Sequence, residues 1–433
     1  MQVLIGVEQF GKIEKAEIDI SNFAVFVGDN NSGKTYLMQL IYGVVQYLTI
    51  PEEYTSTCLN KIIDEINAQN RYILSTEMME CICNEINAYL EKNKEKLVAK
   101  IFQRNVPINK LYIKCKIEED RMLVTHHNDV TIYNGKDKPQ EYEKWEVFYD
   151  GVSKGFHGVY PGRITIGRFL NIILFAIGIG KSYRLFVPAS RTGIQLLYKE
   201  FYAQKVDKLI HGSDEKENHL GLTLPVYDFL RFLQTYKSGS EDSGRKIVQF
   251  IEENLIAGHL QMEENNSVEY VSQNNKVRVP LYMASSMINE VSPIVMAYMM
   301  GVHYDNLIID EVETSLHPKK QREMARLLCR INNYGTKLIV STHSDTMAAY
   351  LNILALLAKN WEKYRDKMFE LKLEKEDMLN NPEVHFYQFM ENGEKSSVKE
   401  LEFSDISSVG VNFELFNDSL DMLYNTSKIL MEG

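Results

Sequence analysis

Positive charge is what this sequence is short of: 48 Lys and Arg stand against 59 Asp and Glu, a formal net charge of −11 over 433 residues. A surface with that balance does not draw nucleic acid nonspecifically. One stretch runs the other way, since 91–121 carries nine Lys or Arg against five Asp or Glu. A docking face for nucleic acid or an acidic partner is one reading of it, and a solvated helix face is the more usual one. Cysteine is scarce as well. The five (Cys58, Cys81, Cys83, Cys115, Cys329) fall at no metal-ligand spacing, and Cys81-x-Cys83 sits on a predicted helix where side chains diverge. All five read as reduced core thiols of a cytoplasmic protein. No basic region precedes the first apolar residues, Val3-Leu4-Ile5, as a signal peptide requires. The one apolar run that suggests a membrane, Phe169 to Gly180, is too short and carries Asn171 between Arg168 and Lys181. A buried helix fits it better, so no membrane association is expected. No heptad stretch is long enough for a coiled-coil arm. With 45% hydrophobic residues the chain can bury a large core, and one large domain carrying an inserted subdomain is expected.

What is present is concentrated in three places. Gly28-Asp29-Asn30-Asn31-Ser32-Gly33-Lys34-Thr35 meets the pattern G-x-x-x-x-G-K-[ST] without mismatch, after an apolar strand (Phe23–Val27) and before a helical pattern (Tyr36 to Val45). Glycines let such a loop curl so that backbone N–H groups point at phosphate oxygens, aided by the helix dipole. Lys34 then reaches the outer phosphates and the Thr35 hydroxyl can ligate Mg²⁺. A chance glycine turn before a helix is the bland alternative. Far downstream, Leu307-Ile308-Ile309 reads as a central parallel strand, covered on both faces and ending in Asp310-Glu311. Carboxylates there lie where ligands bind in open α/β sheets. Asp310 suits Mg²⁺, and Glu311 suits a general base polarising the water that attacks a γ-phosphate. A solvated acidic pair explains the two residues but not the Thr314-Ser315-Leu316-His317-Pro318 that follows. The third element, Thr336 to Ser344, reads as another apolar strand ending in Ser341-Thr342-His343. His343 there can touch the γ-phosphate; a lone strand-end histidine is more often structural, but the spacing behind the Asp-Glu strand favours the functional role.

Together these segments resemble the ABC-type ATPase head of the branch that holds the RecF, SMC and OLD (overcoming lysogenization defect) ATPases. Asp310-Glu311-Val312-Glu313-Thr314-Ser315-Leu316-His317-Pro318 matches that branch's D-E-x-E-x-x-L-H-P segment. Phe10-Gly11-Lys12-Ile13 through Phe23 resembles its opening β-meander, and Phe186 to Gly193 resembles the x-P-A-x-R segment of OLD-like defence ATPases. The resemblance implies an α/β fold: an N-terminal β-meander lobe, a mostly parallel P-loop sheet flanked by helices, and a largely helical inserted subdomain. It implies ATP and Mg²⁺ as cofactors, with Gly28–Thr35 around the phosphates and Arg191, ending a predicted strand, in a phosphate or inter-subunit role. For Arg191 a surface salt bridge is an equal alternative. The branch also has a signature serine at a helix start, for which Ala284-Ser285-Ser286-Met287, about 25 residues before Asp310, is the candidate. Ser285 or Ser286 can cap the helix and present free N–H groups to phosphate. Met287 stands where glycine is expected, so slow turnover is expected, and an ordinary serine cap is the alternative.

The resemblance further implies ATP bound between protomers of a homodimer or larger homo-oligomer. Of the Glu-Gly strand and later Asp-x-Asp of the nuclease domain that OLD proteins carry, the roughly ninety residues after His343 hold no Asp-x-Asp, and a chain without its own nuclease is expected. The expectation is therefore a slow ATPase acting as sensor or scaffold for a separate effector, such as a nuclease or toxin, in bacterial antiviral defence. A DNA-repair ATPase of the RecF kind, and an ATP-dependent scaffold with negligible turnover, are the alternatives.

Along the chain the expected organisation is 1–50 (first lobe), 51–165 (inserted helical and β subdomain), 166–360 (remaining core) and 361–433 (C-terminal extension). Residues 52–105 read as helical, and 110–150 as strands with a turn at Asn134-Gly135. Polar patches at Gly212–His219 and Ser238–Arg245 read as loops. Leu260–Leu281 reads as a hairpin turning at Gln273-Asn274-Asn275, followed by a helix over Met287–Met300. A helix over Asp345–Lys359, a charged linker over Trp361–Asn381, a strand over Val384–Phe389, a hairpin and a helix over Phe413–Leu430 complete the expectation.

Overall fold

The computed structural model describes residues 1–433 except 70, 119–120, 133–139, 154–157, 162–163, 181, 190, 198–220, 236–243, 264–266, 382, 405–409 and 414–433. The turn at Asn134-Gly135, the Gly212–His219 patch, most of the Ser238–Arg245 patch and nearly all of the final helix lie outside the described residues. The chain divides into two compact units: residues 1–21 with 40–182, and residues 22–39 with 183–433. These units follow packing, whereas the four expected segments follow motif order, and the two partitions cut across each other.

The second unit is built on a sheet whose strands run in the order Arg184–Val187, Asn306–Ile309, Lys337–Thr342, Phe23–Gly28, Val384–Asn392 and Lys395–Leu401. The first five are parallel to their neighbours. Every residue of Phe23–Gly28 and of Asn306–Ile309 is buried, as a strand covered on both faces requires. The register sets Ile309 opposite Val340 and Val340 opposite Val25, so Gly28, Asp310 and Thr342 emerge at one carboxyl edge. The strand leading to His343 therefore lies between the P-loop strand and the Asp-Glu strand. A hairpin turning at Gly393, whose φ is +67°, adds the last, antiparallel strand.

Helices Pro318–Asn333 and Asp345–Lys359 follow strands Asn306–Ile309 and Lys337–Thr342. Each starts where a cap dictates. His317 Nδ1 accepts from the Lys319 N–H at 3.3 Å with Pro318 in the first turn, and Ser344 Oγ accepts from the Met347 N–H at 3.2 Å. Helix Ser286–Met299 contains Pro293, which cannot donate to the Asn289 carbonyl one turn back. Gln195 Nε2 donates to that carbonyl instead at 2.8 Å, and Ser292 Oγ lies 2.9 Å from it.

Two expectations for this unit need correcting. Leu260–Leu281 is a three-stranded antiparallel sheet, Gly258–Met262, Val268–Ser272 and Arg278–Pro280, with Gln273-Asn274-Asn275 turning between the last two. Trp361–Asn381 is no free linker, because Arg326 and Arg330 clasp Asp377. Arg326 Nε reaches Oδ2 at 2.8 Å, Arg330 Nε reaches Oδ1 at 2.7 Å, and the carboxylate is fully buried. Both guanidinium groups also lie over the Phe250 ring, Arg330 at 4.1 Å.

The first unit holds strands Gln2–Phe10, Ile13–Asp19 and Ile108–Lys116 in an antiparallel set; the first two belong to the expected N-terminal meander, while the third comes from the segment expected as the inserted subdomain. Helices Thr57–Gln69 and Thr76–Phe102 fill most of the stretch expected to be helical, but Arg71–Leu74 between them is a strand paired with Met122–Thr125. The apolar run at 169–180 lies in a largely buried helix, Ile166–Ala176, up to Ala176, with 177–180 in the turn that follows. Among the described residues no helix is long and apolar enough to cross a membrane. Cys83, Cys115 and Cys329 are buried thiols. Cys58 and Cys81 are not core thiols. The two adjacent helices turn them toward one another near solvent, sulfur to sulfur, with Cα atoms 7.6 Å apart. Much of the basic excess at 91–121 is already paired: Lys94 with Glu91, Lys110 with Glu8, Lys114 with Glu17, and Arg121 with Glu118 and Asp150.

Candidate nucleotide site

The loop after Phe23–Gly28 has backbone angles that few residues tolerate. Gly28 has φ +150°, Asn31 +62° and Gly33 +98°. A Cβ on Gly28 would sit 2.4 Å from the Phe389 carbonyl oxygen, so a side chain is excluded there by space as well as by strain. Lys34 opens the following helix but folds back, with Nζ donating to the carbonyls of Gly28 (2.9 Å) and Asp29 (2.7 Å) and lying 3.3 Å from Ser32 Oγ. Only 4% exposed, its ammonium is pushed down to about 8 by burial, against the pull of Asp310, Asp29, Glu311 and Glu313. Asn30 and Asn31 are exposed on the loop, and Ser32 is buried with its hydroxyl on the Asp29 carbonyl at 2.7 Å.

Asp310 is 1% exposed and is held by two hydroxyls: Thr35 Oγ1 donates to Oδ2 at 2.7 Å and Ser341 Oγ to Oδ1 at 2.6 Å. Burial pushes its carboxyl pKa up, resisted by those hydrogen bonds and by Lys34. A buried carboxylate beside a threonine hydroxyl is a hard-oxygen pair that fits Mg²⁺. Among the described residues no cluster of three or more His, Cys, Asp or Glu could hold a metal. Two protein ligands, with phosphate and water completing the shell, is the usual way Mg²⁺ binds in nucleotide sites.

Glu311 sits in the left-handed region at φ +49°, rare for a side-chain-bearing residue. Its N–H donates to Ser341 Oγ at 2.8 Å, and its Oε1 lies 3.7 Å from His343 Nε2. His343 Nδ1 faces Lys34 Nζ at 3.4 Å, so the imidazole bridges the P-loop lysine and the strand-tip glutamate. The His343 backbone N–H donates to Glu313 Oε1 at 2.6 Å, which ties the Asp-Glu loop to the histidine loop. Sequence reasoning gives Glu313 as either a partner-protomer contact or an orienter of this loop, and the bond to His343 fits the second; it does not single out Ser341. The S-T-H-S string placed Ser341 at the strand end, but only the parallel register aims its hydroxyl at Asp310.

Arg191 is neither at a strand end nor on the surface. It lies in a helical stretch over 191–197 and is 2% exposed. Nη1 donates to the carbonyls of Asp310 (2.9 Å) and Pro188 (3.2 Å), Nη2 to that of Glu311 (3.2 Å), and Nε to that of Glu290 (3.0 Å). Nε also lies 2.7 Å from Glu290 Oε2, a charge contact rather than an aligned hydrogen bond. Burial lowers the guanidinium pKa and raises that of the Glu290 carboxyl, each countered by the other's charge.

Ser285 stands at the N-cap of helix Ser286–Met299, but its side chain makes no capping bond; only its carbonyl engages the helix, accepting from the Asn289 N–H at 3.1 Å. Both serines are exposed, and no described hydrogen bond joins either to Lys34, Thr35 or Asp310. Lys34, Thr35, Asp310, Glu311 and His343 are thus brought together within one unit, while Ser285 and Ser286 stand apart from that cluster of contacts.

Residues 199–348 match the family model described as "AAA domain, putative AbiEii toxin, Type IV TA system". That stretch includes the Asp-Glu and histidine loops and excludes Gly28–Thr35. No curated protein matches the chain. Among solved structures it is similar to an SMC head bound to the C-winged helix domain of ScpA, at TM-score 0.38 and 15% identity over 92% of this chain and 97% of that one. It is also similar to the SMC head domain from Thermotoga maritima, at 0.37 and 11% over 93% and 100%. A third is an Smc head with an extended coiled coil bound to the C-terminal domain of ScpA, from Pyrococcus furiosus, at 0.38 and 12% over 98% and 98%. Scores this low carry no functional conclusion. The α/β fold with its P-loop sheet is plain from the strand order itself.

Proposed function

We propose that this chain is a slow ABC-type ATPase that binds Mg-ATP in the Gly28–Thr35 loop, associates with further copies of itself around the nucleotide, and controls a separate effector protein in antiviral defence. The observation that carries the reading is the convergence of Lys34, Thr35, Asp310, Glu311 and His343 on one sheet edge, drawn from strands more than 270 residues apart in sequence. The loop amides cradle the triphosphate and Lys34 moves from the Gly28 and Asp29 carbonyls to its outer oxygens. Thr35 and Asp310 would hold Mg²⁺, whose charge offsets that of the phosphates. Glu311 takes a proton from the attacking water, and His343, between Glu311 and Lys34, registers the γ-phosphate. The matched family's description, which names a putative toxin of a Type IV TA system, supports the defence setting; the separate effector rests on the sequence resemblance alone.

A second reading, an ATP-dependent scaffold with negligible turnover, is favoured by one observation: Met287 and the uncapping Ser285 hydroxyl make a poor grip for a partner's phosphate. Steady-state Mg-ATP hydrolysis, native mass with and without ATP, and co-purification with the product of a neighbouring gene separate these readings. Lys34-dependent turnover with nucleotide-dependent mass supports the first. Tight retention without turnover in the assembled state supports the second. Turnover stimulated by DNA rejects both in favour of a repair role.

A further inference from the structure

Arg191 satisfies three protein elements at once and has no donor nitrogen left uncommitted. Its fork holds the carbonyls of Asp310 and Glu311, the two peptide units at which the strand leaves the sheet and Glu311 enters its left-handed conformation. That conformation costs on the order of 1 kcal/mol or more and persists only where the surroundings hold it. A planar guanidinium, with two N–H donors pointing the same way, suits two successive carbonyls; an ammonium does not.

The other end of the same side chain is fixed on helix Ser286–Met299. Nε takes the Glu290 carbonyl and pairs with its carboxylate, and Thr192 Oγ1 donates to Glu290 Oε1. One turn further along the helix over 191–197, Gln195 fills the gap left by Pro293 by donating to the Asn289 carbonyl and accepting from Ser292 Oγ at 2.9 Å. The helical stretch over 191–197 is therefore stapled to the second turn of helix Ser286–Met299.

We propose that Arg191, braced by Glu290, is a positioning residue that sets the orientation of the Glu311 carboxylate and makes it depend on the placement of helix Ser286–Met299. This deepens the proposed function and rests on Glu311 being the general base. Arg191 itself touches no nucleotide. The coupling makes hydrolysis sensitive to whatever engages the Ser285 end of the helix, while nucleotide binding, which uses the Gly28–Thr35 loop, is independent of it.

The test compares the parent chain with Arg191→Lys, Glu290→Gln, Glu311→Gln and the double variant Arg191→Lys/Glu311→Gln. Turnover with Mg-ATP is measured in steady state and in single-turnover mode, and affinity is measured with a fluorescent ATP analogue. The expectation for Arg191→Lys is a kcat lowered about 10- to 100-fold, the scale of a catalytic group displaced by about 1 Å, with affinity unchanged. In the Glu311→Gln background the same change should have no further effect, because a base that is absent cannot be misplaced. Glu290→Gln should lower kcat in the same direction by less. Parental kcat in Arg191→Lys, a parallel loss of affinity, or an undiminished loss in the Glu311→Gln background would each overturn the coupling. If Arg191→Lys does not fold, Glu290→Gln decides alone, and parental kcat there overturns the inference. A parent chain that binds Mg-ATP but shows no Lys34-dependent hydrolysis removes the proposed function and this inference together. Lys34-dependent hydrolysis with an indifferent Arg191 removes only this one.

Discussion

Thr35 Oγ1 donates to Asp310 Oδ2 at 2.7 Å across 275 residues of chain, so the P-loop and the acidic strand tip form one site within one unit. The contact has a measurable consequence. Asp310 is buried at an energetic cost, as the rise in its carboxyl pKa reports. Asp310→Asn keeps the shape and removes the buried charge. The nucleotide-free variant should melt at or above the parental midpoint, while the upward shift that Mg-ATP gives the parent should be largely lost. Thermal melts with and without Mg-ATP check this, and a full nucleotide shift in the variant would reject Asp310 as a metal ligand.

Glu311→Gln should retain ATP and slow its hydrolysis by about 10²- to 10⁴-fold, the usual contribution of general acid–base catalysis. Single-turnover hydrolysis alongside analogue binding measures both quantities. Equal turnover in variant and parent would reject the base assignment.

Lys34 gives a pH signature with two opposite limbs. Burial lowers it from the ordinary 10.5 to about 8. Between those values the unfolded chain holds a proton that the folded, nucleotide-free chain has shed, so stability toward unfolding should rise with pH across that window. Phosphate binding needs the cation, so affinity for Mg-ATP should weaken above about pH 8, approaching tenfold per unit. Urea melts and binding titrations from pH 7 to 10 check the two trends. In Lys34→Ala both should vanish, along with most of the binding.

Asp377 is the buried anchor of the segment following helix Asp345–Lys359, held by Arg326 and Arg330. Removing one partner of a buried charge cluster costs about 3–5 kcal/mol, because the remaining charges are left uncompensated. Asp377→Ala should therefore lower stability by that order and open Trp361–Asn381 to protease, with nucleotide affinity little changed. Denaturation midpoints and limited proteolysis provide the check.

The chemistry of the site was legible because it is written in short, contiguous strings. Gly28–Thr35, Asp310-Glu311 and Ser341-Thr342-His343 each carry their own strand, turn and polar residues. The turn angles, strand ends and helix starts they imply are local consequences of sequence. The reading failed where partners are distant and unpatterned. Trp361–Asn381 looked like a charged linker because the arginines that bind it lie about fifty residues earlier, on a helix face that reads as ordinary surface. Arg71–Leu74 is too short for period-two alternation to stand out between two helices. Cys58 and Cys81 were read as core thiols because composition gives no depth.

By itself the sequence determined a curled glycine loop before a helix, an acidic strand tip and a histidine strand, because backbone curvature and side-chain type are local properties. Only the tertiary structure decided that the histidine strand lies between the other two, aiming Ser341 at Asp310, and that Arg191 is buried and spent on carbonyl oxygens. Strand order and the pairing of buried charge depend on which distant segments exclude water together, and no local pattern encodes that.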